Sequence, residues 1–157
     1  MTQTPSQTAG PFLHIGMMPE TAPLAPSLPP GEQVTLHGTI LDAEAAPVTD
    51  ALIEMWHPQA GWARSATDGQ GAWHLTATRP ATAPFVNLWI IARGINTPLQ
   101  TRLYFPDADW QADPAMARIP EARRATLVAS KAAAGAYRLD MRLAGEAETV
   151  FFDLRGE

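Results

Sequence analysis

The sequence predicts an all-β protein, a β-sandwich with an extended N-terminal arm and little helix, and three observations carry that expectation. Fifteen prolines and eleven glycines in 157 residues interrupt the chain too often for long helices. Short apolar segments alternate with polar residues in period two, as half-buried strands do. Turn signals separate these segments at short intervals, the spacing of a sandwich. With 46% hydrophobic residues the chain can build one real core and is too short for two, so a single domain is expected.

The elements follow in order. Residues 17–31 are rich in Pro and Ala, and Pro19, Pro23, Pro26, Pro29 and Pro30 withhold backbone N–H groups from any ladder, so residues 1–32 read as an arm and linker. Phe12, Leu13, Ile15 and Met17 make the arm apolar, and a surface is expected to cover it. The sandwich domain is placed at 33–157. Its first strand is set by Val34, Leu36, Gly38 and Ile40, and a turn over 42–47 follows. Strands are expected over 51–56 and 72–78, the latter introduced by the turn signal Asp68-Gly-Gln-Gly71. Residues 85–93 are apolar on both parities and read as a central strand buried on two faces or against a neighbouring subunit. Strands over 99–105, 136–143 and 148–152 complete the set. Pro114 and Pro120 restrict residues 113–124 to a short helix or two irregular turns. No internal repeat is visible.

Composition excludes several functions. A net charge of −5 and a scattered set of 11 Lys and Arg give no footprint for nucleic acid, and the Arg123-Arg124 pair reads as a solvated face. The absence of cysteine removes disulfides, thiolate nucleophiles and thiolate-held metals. Residues 1–12 lack the pattern of a secretory signal, and the longest apolar run, near 88–92, is far short of the roughly 20 residues of a membrane span. A soluble, cytoplasmic protein is expected.

Chemistry-bearing side chains are sparse. His14, His37, His57 and His74 include no pair at i, i+2 or i, i+4, and the two tyrosines, Tyr104 and Tyr137, fall at strand positions that favour packing. Ser6, Ser27, Ser65 and Ser130 have neither a nucleophile-elbow setting nor an adjacent base. Asp107 with Asp109 and Glu146 with Glu148 read as solvated edges. Trp56 and Trp73 are expected in the core, while Trp89 belongs to the strand expected to face a partner. Arg93 stands out because it ends the apolar run Ile90-Ile-Ala-Arg, where a charge needs a partner. Either it pairs with a carboxylate of this chain, or its planar fork waits at a pocket mouth for an anionic substrate.

Seven blocks carry a resemblance to a known family: TPSQTAGPF (4–12) with HIG (14–16), DALIEMW (50–56), RSATDGQGAW (64–73), ARGI (92–95), TRLYFPD (101–107), IPEARRATL (119–127) and GEAETVFFD (145–153). In this order they resemble the intradiol dioxygenases, and specifically the subunits of a two-chain member that bind no iron. The resemblance spans residues 4 to about 153 and implies an intradiol-dioxygenase-like β-sandwich. Iron-binding members hold Fe(III) with two Tyr and two His and open a catechol between its hydroxylated carbons with O2. Here the His-x-His slot is occupied by Phe85 and Asn87, and the short stretches 57–63 and 79–83 bring no tyrosine.

The resemblance therefore implies no metal on this chain, Fe(III) on a partner beta subunit, and a shared pocket for a small aromatic acid. The reaction implied is cleavage of 3,4-dihydroxybenzoate by O2 to 3-carboxy-cis,cis-muconate, in a higher-order alpha-beta assembly without nucleic acid or membrane. The residues matching the pocket wall are Thr8, Gly10 and Pro11 of the arm, and Arg93. Gly10 would permit close backbone approach to a planar ligand, Pro11 would stiffen the arm, and Arg93 would offset a carboxylate. A competing reading is a stand-alone binding module of the transthyretin-like or carboxypeptidase-regulatory-like type, which loosely shares the 50–56 and 67–73 blocks but leaves the arm motif unexplained.

Overall fold

A computed structural model of the chain describes residues 10, 16–18 and 27–153. Among the described residues nine strands form two sheets: β1 (Gln33–Leu41), β2 (Leu52–His57), β3 (Gly61–Ala66), β4 (Ala72–Thr78), β5 (Phe85–Ile91), β6 (Leu99–Tyr104), β7 (Ser130–Ala133), β8 (Ala136–Arg138) and β9 (Met141–Arg142). One sheet runs β4-β1-β8-β7, with β9 also pairing β1, and the other runs β3-β2-β5-β6. The second sheet is antiparallel throughout, whereas β8 and β9 lie parallel to β1.

The period-two pattern becomes the core directly. Val34, Leu36 and Ile40 of β1 face Ile53 and Met55 of β2, and Val86, Leu88 and Ile90 of β5 join them, all at most 2% exposed. Each such aliphatic side chain stabilises the fold by about 1.5–3 kcal/mol on burial. Phe105 and Tyr137 close one end edge to face, 4.9 Å apart. Gly38 marks the tightest crossing, because a Cβ there would lie 1.8 Å from the Leu139 carbonyl oxygen. The turns use their acidic residues as expected: the Asp68 side chain accepts from the Gln70 and Ala72 amides, and Asp42 from Glu44 and Ala46.

Several expectations need correction. β3 and β7 are not among the predicted strands. The inward residues of β3 are the small Ala63 and Ser65, and β7 is exposed along its length, so neither shows an apolar period. β5 is buried on one face only: Phe85, Asn87, Trp89 and Ile91 point outward, and the run is apolar on both parities because this outer face is itself partly apolar. Trp56 shares that face and is 53% exposed, not core, since the alternation of β2 directs Ile53 and Met55 inward. Trp73 is buried as expected. Residues 148–152 form no ladder, and isolated bonds hold them: Phe152 N to Gln100 O, Thr149 N to Arg142 O, and Thr101 Oγ1 to Val150 O.

Residues 110–127 form two one-turn helices, Pro114–Ala117 and Glu121–Arg124, between 3-10 turns at Trp110–Ala112 and Ala125–Leu127. Asp113 caps the first by accepting from Ala115 N at 2.9 Å. Met116, Ile119 and Leu127 make a second apolar cluster with Tyr104, against which Phe85 and Phe152 pack. One end of the outer face of the second sheet is thereby covered, while Trp56 and Trp89 are the exposed large hydrophobic side chains among the described residues.

Candidate functional site

Arg93 lies in the turn between β5 and β6, two residues past the end of β5. Its Nε donates to Asp50 Oδ2 at 2.8 Å, so the intrachain partner considered from the sequence exists. The Arg93 side chain is nevertheless 64% exposed. An exposed pair of this type holds its arginine by no more than about 1 kcal/mol, which leaves the guanidinium available to a stronger anion.

The Phe85 and Asn87 slot sits on the outer face of β5, opposite Tyr104 and Arg102 of β6. The Arg102 guanidinium lies 3.9 Å from the centre of the Phe85 ring. Its Nη1 donates to Asp113 Oδ2 at 2.9 Å and to the Tyr104 hydroxyl at 3.1 Å, and Tyr104 donates to the same carboxylate oxygen at 2.8 Å. Burial pushes the Tyr104 phenol up to about 12, against the opposing bond from Arg102, so it stays protonated. Asn87 donates Nδ2 to the Trp56 carbonyl at 3.3 Å. His57 packs edge-on against Phe85 and accepts from the Gln59 amide through Nδ1; burial, then Arg102, hold its pKa below 6.5.

These residues do not fit a ferric ion. Phe85 offers no ligand atom, Asn87 offers only a neutral amide oxygen, Tyr104 is a buried phenol bonded to Asp113 and Arg102, and a permanent cation stands against the slot. Among the described residues no group of three or more His, Cys, Asp or Glu is placed to hold a metal. Tyr137 lies on β8 in the other sheet and donates to Asp107, which also pairs with Arg79.

The arm meets the domain on the same outer face. Arg64 of β3, paired with Glu54 of β2 and lying over Trp62, donates Nη1 to the Met17 carbonyl at 3.1 Å. Gly10 has φ +57°, a left-handed backbone that suits glycine. Thr8, Pro11, Phe12, Leu13, His14 and Ile15 lie outside the described residues. The structure thus gives Arg93 and Gly10 a setting and leaves Thr8 and Pro11 without one. Arg102, Asp113 and Arg64 are not singled out by the sequence reading. A charge at an outward position of a strand, between Gln100 and Tyr104, is the signal that could have identified Arg102.

At one end of the sandwich, the short connection over 79–84 and the tight turn between β2 and β3 border a hollow of about 880 Å³, lined by Arg79, Gln59, Thr82 and Asp107. Arg79 stacks 3.9 Å from the Phe105 ring centre. Burial opposes the Asp107 charge, but bonds from Arg79 and Tyr137 outweigh it and hold the carboxyl below its ordinary range.

No protein-family model matches the chain. The dioxygenase domain of a dioxygenase and carbohydrate-binding fusion from Streptomyces sp. SirexAA-E superposes with a TM-score of 0.56 at 21% identity, covering 92% of this chain and 99% of that one. The fold is that of the intradiol-dioxygenase β-sandwich, and among the described residues no group of three or more His, Cys, Asp or Glu is placed to hold a metal. The protocatechuate 3,4-dioxygenase alpha chain of Pseudomonas putida is 36% identical over 196 residues, covering 98% of this chain and 97% of the relative. That of Burkholderia cepacia is 34% identical, covering 98% of each. The chain belongs to the family of protocatechuate 3,4-dioxygenase alpha chains. Its 157 residues are fewer than the 196 aligned positions, so the relatives carry stretches without a counterpart here.

Proposed function

We propose that this chain is the metal-free subunit of a hetero-oligomeric enzyme that opens 3,4-dihydroxybenzoate with O2 to 3-carboxy-cis,cis-muconate, in the cytoplasm and in a higher-order alpha-beta assembly. The observation that carries this reading is the near-full-length similarity to two alpha chains, and the guanidinium of Arg102 against Phe85, in the slot that the resemblance assigns to metal ligands, supports it. A stand-alone binding module would leave that similarity unaccounted for.

Fe(III), bound by the partner chain, supplies activation of the catechol and O2. The work of this chain is positioning. Arg93, exposed and only loosely tied to Asp50, exchanges part of that pairing for the carboxylate of the substrate, a charge-assisted contact that fixes the ring in one orientation. The resemblance assigns Thr8, Gly10 and Pro11 to the pocket wall, where a glycine would allow close backbone approach to the planar ring. Wall and anchor hold the ring in one pose and exclude water, which is how a residue without bond-breaking chemistry raises a rate.

The test is expression with and without the iron-bearing chain. Alone, the protein is expected to carry no stoichiometric iron, to lack a visible tyrosinate band and to leave 3,4-dihydroxybenzoate unchanged. With a partner bearing two tyrosines and a His-x-His pair, the two chains are expected to copurify and turn it over. Iron and turnover in the isolated chain overturn the assignment.

A further inference from the structure

His37 of β1 and His74 of β4 are direct partners in the antiparallel register of the first sheet. Val34, Leu36 and Ile40 of one strand and Trp73, Leu75 and Ala77 of the other point into the core, so both histidines stand on the outer face. Their main chains turn away from each other: the His37 carbonyl accepts from Leu139 N at 2.8 Å, and His74 N donates to Ser65 Oγ at 3.4 Å. They therefore form a non-hydrogen-bonded pair, the type in which facing side chains stand closest, with Cβ atoms about 4.5–5.5 Å apart. His37 is half-buried and His74 exposed, and among the described residues neither imidazole is engaged in a hydrogen bond or an ion pair.

We propose that His37 and His74 chelate one divalent transition-metal ion, of the class of Zn2+, Ni2+ or Cu2+, between β1 and β4. Neutral imidazole suits these borderline ions, and two ring nitrogens at about 2.0–2.1 Å from a shared ion are within reach of side chains at this spacing. Hard Ca2+ and Mg2+ require oxygen ligands, which the pair lacks. The flanking residues leave the site open to a cation. Arg138 of β8 stands beside His37, but its Nε donates to Asp140 Oδ2 at 2.9 Å and its Nη2 reaches Thr39 Oγ1 at 3.5 Å, so its charge is matched and directed along the strand. Asp140 also accepts from Thr39 N at 2.9 Å and is committed elsewhere than to a third ligand position. The adjoining pairs on this face, Thr35 with Thr76 and Thr39 with Ala72, bring no charge. Two protein ligands leave the remaining positions to water, which makes an exchangeable surface site and not a structural one. The Phe85 slot lies on the other sheet, so the two are unconnected. Sequence spacing conceals the pair, because only the register of β1 and β4 brings the rings together.

The experiment titrates Zn2+ into the full chain, free of any polyhistidine tag, and follows binding by calorimetry and by the amide and imidazole resonances. Saturable binding of one ion per chain is expected, with the resonances of His37, His74 and their neighbours moving most. His37→Gln and His74→Gln are each expected to weaken binding at least about tenfold, and the double variant no further than either, because one imidazole alone does not chelate. His14→Gln and His57→Gln are expected to bind as the wild type does. Zn2+ is expected to raise the urea midpoint of the wild type and of neither His37→Gln nor His74→Gln, since an ion held across two strands favours the native register. The wild-type resonances locate the ion even where a variant folds poorly. Absence of saturable binding up to about 1 mM Zn2+ overturns the site, as do shifts centred away from β1 and β4. Losses that add in the double variant assign the ions to separate imidazoles and overturn chelation.

Discussion

Replacing Arg93 with alanine separates its two possible duties. If the side chain only completes an ion pair with Asp50, its loss costs at most about 1 kcal/mol, because the arginine is 64% exposed and water screens the pair. For a chain of this size that is a fall of at most about 4 °C in melting temperature. If the guanidinium also binds the substrate carboxylate in the assembled enzyme, a charge-assisted hydrogen bond worth about 1.5–3 kcal/mol disappears as well, reducing kcat/KM by about 10- to 140-fold. The loss should fall on 3,4-dihydroxybenzoate and spare unsubstituted catechol, with KM carrying most of the change. Asp50→Asn supplies the control: it releases Arg93 without removing it, so the anionic substrate should be bound at least as well as before. Steady-state oxygen uptake with both substrates, on wild type and both variants, decides the matter. Equal losses on the two substrates for Arg93→Ala, or an Asp50→Asn variant that mimics it, would refute the role in substrate orientation.

Two further outcomes follow from the fold. Gly38→Ala places a methyl 1.8 Å from the Leu139 carbonyl oxygen, which belongs to backbone and cannot rotate away, so a loss of about 1–3 kcal/mol is expected in urea unfolding; an unchanged midpoint would show that the crossing at Leu139 yields freely. His57 has its folded pKa held below 6.5 by burial and Arg102, so below that pH the unfolded state takes up the proton first. Its contribution to stability is present above about pH 6.5 and lost as the pH falls toward the lower folded value, so His57→Gln should flatten the decline in urea midpoint between about pH 7.5 and about pH 5.5. A variant with the wild-type slope would assign the decline to other groups.

The sandwich was legible in the sequence wherever large apolar residues set a period. β1, β2, β4 and β6 lie where the sequence places strands, and β5 does too, though its run of apolar residues hid which face is inward; Val34, Leu36, Ile53, Leu75 and Leu88 meet in a common core. β3 escaped because Ala63 and Ser65 fill its inward positions, and small residues give no contrast. The orientation of Trp56 was illegible for a different reason: a large ring reads as core unless the parity of its neighbours is weighed, and Ile53 and Met55 had already claimed the inward side. Arg93 could be singled out because its charge ends an apolar run. Arg102 could not, because its partners Tyr104, Asp113 and Phe85 come together only when β5, β6 and the turn at 113 are folded. Arg64 and Met17, 47 residues apart, likewise become neighbours only in three dimensions.

The guanidinium against Phe85 would oppose any attempt to build a metal site on this stretch of β5. A variant given imidazoles at positions 85 and 87 would confront an incoming trivalent ion with a charge of the same sign, pinned by Asp113 and Tyr104 and set against Phe152. Dislodging it would strand Asp113, which also caps the helix over Tyr104, so a grafted site would lower the stability of the fold before any ion could bind.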